Sequence, residues 1–250
     1  MQLSGKVVVV TGASRGIGAA TARALAARGA TVVGTGRDGA ALAAVMEEIG
    51  GTAIVGDVRD PGHADDVVRR TVHAHGRIGA VVVNAGVGYT GPFDEMPADR
   101  IDELLDVDVR APMQLARAAM PELTEDGEGA LVFVTSIAGA LLVPRESVYS
   151  AAKAAVEAFA EVLREEARGT GVHVGTVVPG AVHTEFFANR GTPYSRTFPR
   201  PIPPEPVASA VLRVIEDSAE RVVVPGWLRG PVLLRRLAPR RYRTLSRRYG

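Results

Sequence analysis

The chain has 250 residues, 46% of them hydrophobic, and a formal net charge of +1. That length supports one large domain with a sizeable core, the apolar fraction excludes a disordered chain, and the near-balanced charge gives no global field for nucleic acid. The absence of cysteine excludes disulfides and thiolate metal sites. The opening MQLSGKVVVVTG lacks the pattern of a secretory signal, and no apolar run is long enough to span a bilayer, so the expectation is a cytoplasmic protein. Lysine and arginine total 29, yet lysine occurs only at Lys6 and Lys153, which invites a chemical reason for each.

In chain order, residues 6–11 are a continuous β-branched run, as expected of a strand buried on both faces. A loop containing Gly12, Ser14, Arg15, Gly16, Ile17 and Gly18 follows and opens into a helix over 16–28. Glycines there permit a tight turn and close backbone approach, while the helix N-terminus presents free N–H groups to a pyrophosphate. A second strand, 31–35, ends in Gly36-Arg37. A site for NAD normally offers an acidic residue here for the ribose hydroxyls. Arg37, with Arg15 from the loop, instead suits a 2′-phosphate and favours NADP(H), with NAD(H) as the alternative. Asp38 would reach the ribose if the register were one residue longer.

The alternation continues with helices near 38–50, 62–75, 98–126, 147–169 and 204–217, and strands at 52–56, 80–84, 130–135, 172–178 and 221–224. Seven strands with helical crossovers predict an α/β fold: a doubly wound, Rossmann-like parallel sheet in a single domain over 1–228. Residues 184–206 carry six prolines and no periodic pattern, and read as an irregular substrate loop. Residues 229–250 form a basic extension with eight arginines and no acidic residue. Leu233, Leu234, Leu237, Tyr242, Leu245 and Tyr249 recur there at roughly helical spacing, broken by Pro239. Two readings stay open: a helix packing its apolar stripe near the substrate loop, or an amphipathic segment making peripheral contact with an anionic membrane.

Tyr149 and Lys153 stand four apart at the start of a helix and so share a face. An ammonium about 4 Å from the phenol contributes about 4 kcal/mol at an effective dielectric near 20, which predicts a lowered Tyr149 pKa and general acid–base chemistry. Ser136, thirteen residues earlier, ends a strand and can donate a hydrogen bond to a carbonyl oxygen as charge develops. His73 and His75 are two apart and cannot share a helix face, and His183 reads as an exposed loop residue, so no metal site is expected.

Taken together, the TGxxxGxG loop at 11–18, Asp57-Val58, Asn84-Ala85-Gly86, Ser136, the YxxxK of Tyr149 and Lys153, and the PGxxxT segment with Pro179, Gly180, Val182 and Thr184 resemble the short-chain dehydrogenase/reductase family. The resemblance covers residues 5 to about 226. It implies that Asp57 and Val58 contact adenine, that the 179–184 segment contacts the nicotinamide side, and that Lys153 also holds the ribose. It implies pairing through the two long helices into a homodimer or homotetramer. One position departs from the pattern. Where the family usually has asparagine, thirteen residues before a helix proline (here Pro121), this chain has Asp108. Aspartate keeps the backbone carbonyl that serves the family's proton relay and adds a carboxylate expected to raise the Lys153 pKa. The resemblance thus implies an enzyme that reduces a small apolar ketone or aldehyde, or runs the reverse alcohol oxidation. A 3-oxoacyl-carrier-protein reductase is the alternative, disfavoured by the apolar Leu141, Leu142 and Val143. A non-catalytic NADP-sensing protein is the alternative of another class.

Overall fold

The computed structural model describes residues 1–125, 127–192, 194 and 199–249, with side chains up to residue 246. Its centre is a seven-stranded sheet of β1 (Val7–Thr11), β2 (Thr31–Gly36), β3 (Thr52–Val55), β4 (Ala80–Val83), β5 (Gly129–Val134), β6 (Val172–Pro179) and β7 (Arg221–Val224). All pairings are parallel and the spatial order is β3-β2-β1-β4-β5-β6-β7. The valine run of β1 shows why the strands read as unbroken apolar stretches. Val8 and Val10 enter one core layer, Val7 and Val9 the opposite one, and all four are buried.

On one face lie α1 (Gly16–Ala26), α2 (Gly39–Ile49) and α9 (Glu205–Glu216); on the other lie α3 (His63–His75), α5 (Ala111–Glu125) and α7 (Ser147–Glu166). The chain builds outward from β1 to β3 and then places β4 on the other side of β1, and the crevice at the carboxyl ends of strands at such a switch point is where these sheets bind ligands.

Three expectations are corrected here. The single helix expected over 98–126 is broken: α4 (Ala98–Leu105) passes into a π-helical turn, Asp106–Arg110, before α5. A π turn inserts an extra residue per turn and re-aims the side chains on it, and it buries Val107 and Asp108. The irregular stretch at 184–206 contains a short helix, α8 (Phe186–Asn189), and is tied back by a bridge between Val182 and Ile202. Of that stretch, residues 193 and 195–198 lie outside the described residues. The basic extension is two helices, α10 (Arg229–Leu237) and α11 (Pro239–Tyr249), with Pro239 starting the second rather than merely interrupting the first. It packs on α6 (Ile137–Leu141), where Arg235 Nη1 donates to the Ala140 carbonyl (2.8 Å) and the Tyr242 hydroxyl to that of Leu141 (3.2 Å).

Candidate active site

A cleft of about 1530 Å³ runs across the carboxyl ends of the strands. Of the residues expected at the site from sequence, Gly18 and Asp108 alone do not line it; both stand directly behind its wall. The glycine loop is held by the neighbouring strand. Gly12 adopts φ +66°, and a Cβ on it would lie 3.0 Å from Ala85 Cα. A Cβ on Gly18 would lie 2.0 Å from the Gly12 carbonyl oxygen, so nothing larger fits where α1 begins. Asn84 Nδ2 donates to the Thr11 carbonyl (2.9 Å), and the Thr11 hydroxyl accepts from the N–H groups of Asn84 (2.9 Å) and Ala85 (3.0 Å). Asn84 therefore shapes the loop, and buried Thr11, whose importance the sequence reading missed, closes the same network. The result is a backbone cradle open to Ser14, Gly16 and Ile17, with the N-terminus of α1 facing into it. It fits a dinucleotide pyrophosphate.

At the far end of the cradle, Gly36, Arg37, Asp38, Asp57 and Val58 line the cleft. Arg37 is exposed and only loosely approaches Asp57, at 3.8 Å. Arg15 is engaged by two carboxylates, Asp38 and Glu185, so it does not present the free second charge expected of it. Asp38 caps α2 by accepting from the Ala41 N–H (3.1 Å) and is turned toward Arg15. The Asp57 carboxylate accepts from the backbone and guanidinium of Arg59, which hold its pKa below the usual carboxylate range.

Ser136, Tyr149 and Lys153 meet on the cleft floor. Ser136 stands two residues past β5 and caps α6 by accepting from the Ala138 N–H (3.1 Å). Its hydroxyl faces the Tyr149 phenol and favours the ionised form there. Tyr149 and Lys153 share the buried face of α7, with the Lys153 ammonium 5.7 Å from the Tyr149 ring centroid. Asp108, fully buried, sits on the other side of that ammonium, with Oδ1 3.0 Å from Lys153 Nζ and 3.3 Å from the donating Val87 N–H. Its Oδ2 is buried with no described hydrogen-bond partner.

These contacts reverse one expectation. Burial pushes the Tyr149 hydroxyl above its ordinary pKa; Lys153 pulls it down, but Asp108 opposes that pull. The expected lowering assumed an uncompensated ammonium, whereas here the ammonium is already paired. Lys153 behaves as expected: burial works against its charge, yet Asp108 and Tyr149 outweigh that, and its pKa is raised. Burial likewise raises the Asp108 pKa, with Lys153 pulling the other way.

Beyond Tyr149 the cleft becomes apolar. Phe186 lies 5.5 Å from the Tyr149 ring, Phe187 stacks between Phe186 and Tyr194, and Leu141, Val143, Leu228, Leu234, Tyr242 and Leu245 complete the wall. Arg190 and Glu146, 2.5 Å apart and nearly buried, fasten the α8 segment to the residue preceding α7, and the Arg190 guanidinium covers the Phe187 ring at 4.7 Å. None of this pair, Phe186, Phe187 or the wall from α10 and α11 is marked by a motif; only the apolar character of Leu141 and Val143 hinted at it. Gly180, Pro179, Val182 and Thr184 line the cleft opposite the glycine loop, whereas His183 is exposed and does not line it.

Comparison with known proteins agrees with this architecture. The family model "short chain dehydrogenase" matches residues 6–194. A ketoacyl reductase, HetN, of Nostoc sp. strain PCC 7120 is 34% identical over 227 residues, covering 89% of this chain and 79% of that protein. Dehydrogenase/reductase SDR family member 7B of Danio rerio is 30% identical, covering 95% and 83%. Among solved structures, a short-chain dehydrogenase/reductase from Burkholderia phymatum in complex with NAD superposes with a TM-score of 0.87 at 23% identity over 94% of both chains. The 3-ketoacyl-(acyl-carrier-protein) reductase from Brucella melitensis complexed with NADH gives 0.83 at 26% identity, covering 89% and 97%. The chain belongs to the short-chain dehydrogenase/reductase family. It is an oxidoreductase acting on CH–OH and C=O groups with a nicotinamide cofactor.

Proposed function

We propose that this protein is an NADPH-linked reductase of apolar ketones or aldehydes, working through Ser136, Tyr149 and Lys153. The observation that carries the reading is their convergence on the floor of one cleft whose outer part is aromatic and aliphatic. The glycine loop, Asp57, Val58, Asn84, Ala85, Gly86, Lys153 and the 179–184 segment would hold the cofactor, which supplies a hydride to the carbonyl carbon when bound. Tyr149 donates its proton to the carbonyl oxygen, and Ser136 donates a hydrogen bond to the same oxygen as charge develops there. A raised Tyr149 pKa keeps that proton in place at neutral pH, as reduction requires. Lys153 then stabilises the phenolate left behind, and the Asp108 carboxylate keeps the ammonium charged.

Arg37 supports the choice of NADPH: it is the exposed cation at the end of β2, while Asp38 is turned to Arg15 and the α2 N-terminus. The exposed stripe of Ala151, Ala155, Ala158 and Val162 along α7 supports pairing of two subunits through that helix. Similarity to two ketoacyl reductases favours 3-oxoacyl thioesters as a second substrate class. The test is cofactor consumption with a panel of ketones, aldehydes and 3-oxoacyl thioesters. Turnover of apolar carbonyls, with NADPH bound at least about ten-fold tighter than NADH, is expected from one charge-assisted phosphate contact. Binding of NADPH without turnover of any carbonyl would instead identify a cofactor-sensing protein.

A further inference from the structure

The two C-terminal helices form part of the cleft and also carry an outer face that the site does not use. Leu234, Tyr242 and Leu245 point into the cleft. Beside Leu234 on the helix, Leu233 and Leu237 share the neighbouring, solvent-facing side of α10 and are 57% and 76% exposed. Around them stand Arg229, Arg236, Arg240, Arg241 and Arg243, all exposed, and among the described residues none of these pairs with a carboxylate. The whole 229–250 segment has no acidic residue. Trp227, 47% exposed, and Leu245, 46% exposed, belong to both the outer surface and the cleft lining, so the face is continuous with the cleft mouth. Arg235 and Tyr242, through their bonds to α6, fix the platform to the wall beside Ser136.

We propose that α10 and α11 are a docking platform for an anionic lipid bilayer, through which apolar carbonyl substrates dissolved in that bilayer enter the cleft. Charge sign selects the partner: a cation-only surface matches anionic headgroups, and each arginine near such a surface raises partitioning by about five-fold. The exposed leucines decide between a membrane and an acidic protein surface. Arginines alone would satisfy an acidic protein, whereas leucines set among them at helical spacing suit the boundary between headgroup and acyl chain. No helix among the described residues is long and apolar enough to cross a membrane, so the contact is peripheral. The membrane contact stands independently of the proposed reductase activity; the route for substrate rests on it.

The experiment is co-sedimentation of the full chain with phosphatidylcholine vesicles, with and without phosphatidylglycerol, at physiological salt. Binding to the anionic vesicles alone is expected. Reversing two charges in Arg236→Glu/Arg240→Glu should lower partitioning by at least about 25-fold. Leu233→Asp/Leu237→Asp should also release the protein from vesicles while leaving turnover of a water-soluble ketone unchanged, which shows that the variant is folded. For a long-chain aldehyde held in anionic vesicles, the wild type should turn over faster than either variant. Failure of the wild type to sediment overturns the proposal. So does vesicle binding indifferent to the two leucines, equally tight binding to polyglutamate, or a leucine variant whose only change is dissociation of an oligomer, since the face would then be covered by a second copy.

Discussion

Replacing Asp108 with asparagine isolates the charge that distinguishes this site from the asparagine usual in the family. The exchange is nearly isosteric, and an amide oxygen can still accept from Lys153 and from the Val87 N–H. What is lost is a full charge 3.0 Å from a buried ammonium. At an effective dielectric near 20 that attraction is about 5.5 kcal/mol, and removing one partner of a buried pair outright typically costs about 3–5 kcal/mol. Because the amide dipole remains, we expect a smaller loss of stability, about 1–3 kcal/mol, or a melting temperature lower by roughly 3–10 °C. The pH dependence has a definite sign. A group whose pKa is raised on folding stabilises the fold below its unfolded pKa and loses that contribution as pH rises through the folded value. In the wild type Lys153 is such a group, held up by Asp108 and Tyr149 against burial. In Asp108→Asn burial gains weight, the Lys153 pKa falls, and the alkaline limbs of both stability and kcat/KM move to lower pH. Thermal melts and pH–rate profiles of the two proteins side by side make the comparison. Superimposable alkaline limbs would refute the reasoning, since the carboxylate would then be electrostatically silent.

Tyr149→Phe should lower kcat by about two to four orders of magnitude while cofactor titration stays nearly unchanged; a variant at half the normal rate would remove Tyr149 from its role. Gly18→Ala should weaken cofactor binding and cost about 1–3 kcal/mol of stability, because its Cβ would meet the Gly12 carbonyl at 2.0 Å, as calorimetry with and without cofactor would show. Arg37→Asp should narrow or invert the ratio of NADPH to NADH affinity in parallel titrations. Light scattering at micromolar concentration should report at least a dimer, and Val162→Glu on the exposed α7 stripe should shift it toward monomer.

Much of this molecule can be read from residue order because its strands are buried on both faces. The valines at 7–10 and 81–83 need no partner information to be recognised as central strands. Motifs whose members are local, such as the glycine loop or Tyr149 with Lys153, are legible for the same reason: one turn of backbone sets their geometry. The π turn was not legible. Apolar spacing over 98–126 is compatible with a continuous α-helix, and the extra residue at Asp106–Arg110 shows only once Asp108 is found buried against Lys153. The direction of the Tyr149 shift failed likewise: sequence distance indicates who the neighbour is, not how much water has been removed or what else the neighbour has paired with. Glu146 and Arg190 are 44 residues apart, and nothing in either neighbourhood announces a contact.

The bonds from Thr11 to Asn84 and Ala85 have a consequence for how the cofactor groove comes into being. The glycine loop lies entirely within the first eighteen residues, but Asn84 and Ala85, which complete its network just past β4, stand more than seventy residues beyond Thr11. Until β4 docks beside β1, the Thr11 hydroxyl has neither N–H to accept from, and the Thr11 carbonyl lacks the Asn84 amide. A fragment ending before residue 80 would carry the nucleotide fingerprint intact and still lack the cradle it describes. The cradle is thus complete only where the two halves of the sheet are joined, and a dinucleotide held in it would favour that joined state over any form in which the seam is open.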